Sequence, residues 1–139
     1  GVVGGTANEI QPGKRMLSSM SPTMLLRDGE VQLVVGTPGG STIFTSVFQA
    51  IVNIYDFGMT PAETVAATRF HHQLLPRDLV TYSPGYPLAE SVISELADRG
   101  YRVVPHPYEY GDLQLIVRDG GGWAGASDPR GRGTAGETR

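Results

Sequence analysis

A strand-like segment, a glycine-rich turn and a long helical segment follow one another without interruption. This succession constrains the fold more than any other feature of the sequence. Residues 31–35 are an apolar run of β-prone type that leads directly into a Pro-Gly-Gly turn within residues 36–41. Residues 42–57 then carry apolar side chains at helical spacing, spread over much more than one narrow stripe. We therefore expect a strand that passes through a tight turn into a central helix.

The same strand forms one arm of a predicted hairpin. Residues 24–26 and 31–35 flank an Asp28-Gly29 pair, and such a pair between β-prone runs is a strong hairpin signal. We expect this hairpin to be buried. Further helices are predicted at 60–67 and 87–99, and further strands at 79–82, 101–105, 113–117 and 123–126, with 69–73 as an interruption. Hairpins at both ends with helices between them favour an α+β fold with a mostly antiparallel sheet and packed helices.

Length and composition limit what the chain binds. Its 139 residues predict a single domain spanning residues 1–139, with loosely ordered ends at 1–12 and 131–139. A net charge of −3 with scattered Lys and Arg leaves no basic stripe, so nucleic acid is not an expected partner. The absence of cysteine excludes disulfides, thiolate metal sites and a cysteine nucleophile. No apolar run approaches the length of a membrane span.

The glycine turn before the long helix is a candidate anion site. Gly39 and Gly40 would leave unobstructed backbone N–H groups at the positive end of the helix dipole, where a carboxylate or a developing oxyanion is favoured. The alternative is a tight strand-to-helix turn that simply requires glycine. A phosphate loop fits less well, because the segment has neither the second spaced glycine nor the lysine of a Walker motif.

A row of hydroxyl groups precedes the first arm of the hairpin. Ser18, Ser19 and Ser21 could each donate a hydrogen bond to a substrate carboxylate, or could satisfy local backbone groups before the Ser21-Pro22 step. If the hairpin forms, the segment before its first arm and the segment after its second arm lie at the same sheet edge. The hydroxyls and the glycine N–H groups would then converge.

Charged and imidazole groups elsewhere suggest support, not chemistry. Arg69, Asp128 and Arg130 stand in apolar or turn-rich stretches, which suggests a partly buried ion pair that fixes the C-terminal segment. The adjacent His71 and His72 would point to opposite faces of an extended segment, with no acidic residue at ligand spacing, so we expect a structural role and no metal. A serine-hydrolase motif of the type Gly-x-Ser-x-Gly is absent.

Four separated motifs together resemble one enzyme family. Residues 14–23 (KRMLSSMSPT), 36–41 (GTPGGS), 69–73 (RFHHQ) and 125–130 (GASDPR) are similar, in order and spacing, to the C-terminal part of the small subunit of γ-glutamyltranspeptidases. The resemblance extends over nearly the whole chain. It implies part of the αββα sandwich of an N-terminal nucleophile hydrolase, made by a proenzyme that cleaves itself to expose a threonine.

The resemblance also implies roles for residues. The family cleaves γ-glutamyl amides such as glutathione and passes the glutamyl group from the threonine to water, an amino acid or a peptide. On the matching positions, Ser18 and Ser19 would hold the donor's α-carboxylate, and Gly39 and Gly40 would supply oxyanion-hole N–H groups. Thr6 is not the nucleophile, because it stands in a stretch that matches the family downstream of its active-site lid. The resemblance implies no cofactor.

A threonine nucleophile at the expected position is absent, so we interpret the chain as a fragment that is inactive alone. Its expected partners are the γ-glutamyl donor, the acceptor, the large subunit and the upstream part of the small subunit. Self-association of the fragment is also expected, because faces that normally pack against those parts would be exposed. The resemblance implies a periplasmic, secreted or membrane-tethered extracellular location. The alternative is a stand-alone module that binds a carboxylate ligand without turnover.

Overall fold

The computed structural model describes residues 4–136. Residues 1–3 and 137–139, the outer parts of the two ends predicted to be loosely ordered, lie outside the described residues. The strands and helices, in chain order, are β1 (Thr23–Arg27), β2 (Glu30–Gly36), α1 (Ile43–Tyr55), α2 (Pro61–Ala66), β3 (Phe70–His72), β4 (Leu79–Tyr82), α3 (Glu90–Asp98), β5 (Arg102–Pro105), β6 (Gln114–Asp119) and β7 (Gly122–Ser127). Short 3-10 turns occupy Thr6–Asn8 and Gly40–Thr42.

The strands form two sheets. A four-stranded sheet has the order β1-β2-β6-β7, and every neighbouring pair in it is antiparallel. A three-stranded sheet has the order β3-β4-β5, in which β4 and β5 run parallel because α3 crosses over between them. The prediction of an α+β fold with mostly antiparallel pairing is confirmed.

The core lies between one face of the four-stranded sheet and the first two helices. Alternate residues of β2 and β6 point to this face, as the period-2 geometry of strands requires. α1 contributes one stripe of residues to this core, and α2 contributes Val65. The buried apolar side chains of this cluster are Leu33, Val35, Ile43, Val47, Ala50, Val65, Leu113, Leu115, Val117 and Ala126.

The expectations of a buried hairpin and a central helix are wrong in part. β1 is an edge strand, and its Met24 and Leu26 side chains are 63% and 60% exposed. α1 packs on the sheet with one side, while Phe44 and Phe48 on its other side are 54% and 64% exposed. Both elements have apolar residues on two faces, and among the described residues only one face of each element is covered.

Two local boundaries also differ from the sequence prediction. The predicted interruption at 69–73 contains β3, a three-residue strand that pairs with β4. Its sequence has no run long enough to signal a strand, so only the pairing defines it. The third helix begins at Glu90 instead of residue 87, because Ala89 before it is still extended.

Candidate glycine-turn site

The turn between β2 and α1 requires glycine at two positions. Gly39 has φ +148° and Gly40 has φ +59°, both in the region that residues with a Cβ rarely adopt. A Cβ on Gly39 would also lie 2.5 Å from Thr42 Oγ1. The Gly39 carbonyl accepts two hydrogen bonds of 3.1 Å, from the backbone N–H and from the hydroxyl of Thr42.

The backbone N–H groups of this turn are free within the described part of the chain. Neither Gly39 N–H nor Gly40 N–H donates a hydrogen bond to another group among residues 4–136. The turn precedes the N-terminus of α1, a helix of 13 residues, so the helix dipole adds positive potential there. Such an arrangement is chemically suited to a carboxylate or to an oxyanion.

The serine row lies at the same edge of the sheet as the glycine turn. Thr23 pairs with Val35, so residues 17–22 and 36–41 leave the hairpin at the same end. Ser18 and Ser19 are exposed. Ser18 Oγ accepts a hydrogen bond of 3.2 Å from Met20 N–H, which leaves its hydroxyl hydrogen available to donate. Hydrogen bonding to a local backbone group, which the sequence left open as an alternative to carboxylate binding, is therefore present at Ser18. It uses the hydroxyl oxygen as an acceptor and leaves the hydroxyl hydrogen unused.

Arg69, Asp128 and Arg130 meet in the interior. Arg69 Nη1 donates to Asp128 Oδ2 at 2.5 Å, and Arg130 Nη1 donates to Asp128 Oδ1 at 3.1 Å. Arg69 is 2% exposed and Asp128 is 1% exposed. Two backbone N–H groups, of Leu113 and of Arg130, also donate to the Asp128 carboxylate at 3.0 Å.

The charge state of this cluster follows from those contacts. Burial by itself raises the pKa of the Asp128 carboxyl, but the two N–H donors and the Arg69 charge bring this pKa below its ordinary value. Burial lowers the pKa of Arg69, and the neighbouring Asp128 carboxylate opposes that effect. Tyr110 donates its hydroxyl hydrogen to the Arg69 carbonyl at 3.0 Å, and burial raises the pKa of this phenol to about 12.

Sequence analysis missed several partners of these residues. Glu109 accepts hydrogen bonds from the Ser83 hydroxyl and from Gly85 N–H, and it lies 3.5 Å from Arg130 Nε. The Arg130 guanidinium also stacks over the Tyr86 ring at 3.6 Å. These residues come from the loops that follow β4 and β5, and no spacing rule in the sequence connects them to one another.

The two histidines have different partners, as residues on opposite faces of a strand should. His71 Nδ1 lies 2.9 Å from Thr45 Oγ1, whereas His72 Nε2 lies 2.8 Å from the Arg77 carbonyl. Burial lowers the pKa of His71, against the opposing effect of its hydrogen bond to Gln73. Among residues 4–136, no group of three or more His, Asp or Glu side chains is placed to hold a metal ion. In the same part of the chain, no helix is long and apolar enough to cross a membrane.

Comparison with known proteins decides the family. The sequence model of the γ-glutamyltranspeptidase family matches residues 1–138. The chain belongs to the γ-glutamyltranspeptidase family. It is 57% identical over 133 residues to the glutathione hydrolase proenzyme of Pseudomonas aeruginosa, and the matched region is 96% of this chain and 24% of that relative. It is 43% identical over 130 residues to the glutathione hydrolase proenzyme of Escherichia coli, and the matched region is 94% of this chain and 22% of that relative.

A solved γ-glutamyltranspeptidase has the same fold. The structure of the enzyme from Pseudomonas nitroreducens complexed with L-DON matches with a TM-score of 0.90 and 52% identity, over 100% of this chain and 72% of that one. The predicted relation to the N-terminal nucleophile hydrolases is therefore confirmed. The chain spans about a quarter of the length of the two glutathione hydrolase proenzymes it matches.

Proposed function

We propose that the chain is the C-terminal part of an enzyme that cleaves γ-glutamyl amides and transfers the γ-glutamyl group to water, amino acids or peptides. The observation that carries this proposal is the pair of free N–H groups at Gly39 and Gly40. They lie at the sheet edge from which the serine row also departs, in a chain of the γ-glutamyltranspeptidase family.

Two segments of the chain bind different parts of the donor. Ser18 and Ser19 donate hydrogen bonds to the α-carboxylate of the γ-glutamyl group. The N–H groups of Gly39 and Gly40 donate to the oxyanion that forms when a threonine hydroxyl attacks the γ-carbonyl. Each such donor contributes about 3 to 4 kcal/mol to transition-state stabilisation in comparable sites. The attacking threonine belongs to the upstream part of the small subunit, and the 139-residue chain is inactive by itself.

Other groups support this site and complete the protein. Arg69, Asp128 and Arg130 hold α2 and the C-terminal segment against the four-stranded sheet that carries the glycine turn. The large subunit and the upstream part of the small subunit are the macromolecular partners. A γ-glutamyl donor such as glutathione and an amino-acid or peptide acceptor are the small-molecule partners.

Two experiments test the proposal. The coding region upstream of Gly1 should encode a large-subunit region and an internal threonine junction. The full-length gene product should release nitroaniline from γ-glutamyl-p-nitroanilide, and the 139-residue chain alone should not. Absence of activity from the full-length product would overturn the proposal. Isothermal titration of the 139-residue chain with glutamate addresses the alternative, since clear binding without the upstream part would favour a stand-alone carboxylate-binding module.

A further inference from the structure

His71 joins β3 to the first turns of α1. The residue is 6% exposed, with Nδ1 of its ring 2.9 Å from Thr45 Oγ1 and Nε2 2.7 Å from Gln73 Oε1. Beside it, the Gln49 side-chain amide donates to the Phe70 carbonyl at 2.7 Å and accepts from Phe70 N–H at 3.1 Å. The imidazole is therefore held on both nitrogens, on a strand that is itself fixed to the helix.

The hydrogen bonds continue from Thr45 to the glycine turn. Thr45 Oγ1 lies 3.0 Å from the Thr42 carbonyl, to which Ser46 also donates at 2.9 Å. Thr45 has a single hydroxyl hydrogen, and Gln73 Oε1 only accepts, so Nε2 of the ring carries a hydrogen. In the neutral ring Thr45 therefore donates to His71 Nδ1, whereas in the protonated ring Nδ1 donates to Thr45 and the Thr45 hydroxyl serves the Thr42 carbonyl. Nδ1 and Thr45 Oγ1 share a hydrogen bond in both forms. Thr42 in turn donates its N–H and its hydroxyl to the Gly39 carbonyl.

The last of these contacts orients an oxyanion donor. The Gly39 carbonyl and the Gly40 N–H belong to one peptide unit, which is planar and trans, so they point in opposite directions. Two hydrogen bonds that fix the direction of the Gly39 carbonyl therefore also fix the direction of the Gly40 N–H.

We propose that His71 is a positioning residue for the oxyanion donors: through Thr45 and Thr42 it holds the glycine turn in the orientation in which Gly40 N–H faces the substrate. The expected effect on kcat rests on the proposed function, whereas the effect of His71 on the orientation of the glycine turn does not. His71 does not act on the substrate itself, because both of its ring nitrogens are already engaged within the fold.

The kinetic test uses the full-length gene product and two matched pairs of variants. Thr45→Val removes the hydroxyl and Thr45→Ser keeps it; His71→Leu removes both ring nitrogens and His71→Asn retains a polar group near Nδ1. We expect Thr45→Val and His71→Leu to lower kcat by about tenfold and leave the donor KM within about twofold, since a partly misaligned donor costs less than a deleted one. Thr45→Ser and His71→Asn should recover most of the kcat.

The double variant and a neighbouring histidine complete the kinetic test. Combining Thr45→Val with His71→Leu should lower kcat no further than either single change, because both interrupt one chain of hydrogen bonds. His72→Asn, on the other face of β3, should leave kcat at the wild-type level. An unchanged kcat in Thr45→Val and His71→Leu, or a rise in KM alone, would overturn the proposal.

Hydrogen exchange separates this proposal from the proposed function. In the full-length protein, peptides spanning residues 36–48 should take up deuterium faster in Thr45→Val and His71→Leu than in the wild type or in Thr45→Ser. If the wild type cleaves no γ-glutamyl anilide, the proposed function fails, and this measurement still tests the positioning role. Equal uptake in all variants would rule that role out.

Discussion

At the scale of single residues, Gly39 and Gly40 are constrained in different ways. A Cβ on Gly39 would collide with Thr42 Oγ1, whereas a Cβ on Gly40 would meet no atom within 4 Å. Gly40→Ala therefore tests the oxyanion role with the smaller disturbance. Its positive φ adds strain of about 1 to 2 kcal/mol for an alanine, which turns the N–H away from its present direction.

We expect Gly40→Ala in the full-length gene product to lower kcat, while the donor KM changes little. The reason is that an oxyanion-hole donor, the role proposed for this N–H, interacts with the oxyanion more strongly than with the ground-state carbonyl. Steady-state kinetics with γ-glutamyl-p-nitroanilide measure both constants. Gly58→Ala is the control, because Gly58 also has positive φ and open space but lies beyond the C-terminus of α1, at the opposite end of the helix from the turn. An unchanged kcat with a raised KM would contradict the oxyanion role.

Ser19→Ala should act on binding instead. Its hydroxyl is exposed, and loss of the proposed hydrogen bond to a charged carboxylate should raise the donor KM by about tenfold, a free energy of about 1.5 kcal/mol. Initial rates over a range of donor concentrations provide the measurement, with Ser91→Ala on the exposed side of α3 as the control. Wild-type values of KM and kcat/KM in Ser19→Ala would remove Ser19 from the carboxylate site.

At the scale of elements, α2 shows which features of a helix follow from the sequence and which follow only from the fold. Its N-terminus was predictable, because Thr60 and Glu63 form a capping box within one turn. The position of its C-terminus was also predicted to within one residue, but the contacts there were not, because Arg130 donates to the Val65 and Ala67 carbonyls across 65 and 63 residues of sequence.

The same distinction applies to the other elements and to the candidate site. Hairpin and helix positions depend on neighbouring residues, and their approximate bounds follow from the sequence. The exposed outer sides of β1 and α1 could not be predicted, because an apolar residue in the sequence does not indicate whether a partner covers it. The chain from His71 to Gly39 was missed for a related reason: Thr45 and His71 are 26 residues apart and meet only when β3 packs on α1.

The Asp128 cluster predicts how strongly these elements are fixed. Asp128→Asn should lower the free energy of unfolding by about 3 to 5 kcal/mol, because it leaves the buried Arg69 without its counter-charge. Urea denaturation followed by circular dichroism measures the loss. Glu95→Gln is the matched control, since Glu95 and Arg99 form an exposed pair and its removal should cost less than about 1 kcal/mol. Equal losses in the two variants would contradict the assigned role.

The pH dependence provides a second measure of the Asp128 cluster. The folded-state pKa of Asp128 is below its ordinary value of 3.8, so its carboxylate contributes stability above that value. That contribution is lost as the pH falls through the folded-state pKa. The stability difference between wild type and Asp128→Asn should therefore be largest near neutral pH and should narrow in strong acid.

At the scale of the whole molecule, the chain exposes more surface than a compact protein of its size. Its accessible surface is 9557 Å², whereas a compact monomer of this mass exposes roughly 7,000 Å². Part of the excess is a groove on the outer face of the four-stranded sheet, whose apolar lining includes Val34, Ile116 and Trp123 and which is bordered by Ala135 and Gly136 of the C-terminal segment. Ile116 and Trp123 are each 49% exposed. The opposite face of this sheet is already covered by α1 and α2.

The exposed apolar residues of this sheet face predict self-association of the isolated 139-residue chain. Apolar surface of this kind is stabilised by contact with a second apolar face, and a second copy is the partner present in a pure sample.

Sedimentation velocity should show a sedimentation coefficient that rises with protein concentration. Ile116→Lys combined with Trp123→Lys should suppress the rise, whereas Phe44→Lys with Phe48→Lys on the outer side of α1 should suppress it less. A single monomeric species at high concentration would contradict the prediction. Equal suppression by both pairs would instead mean that the sheet face has no special part in the contact.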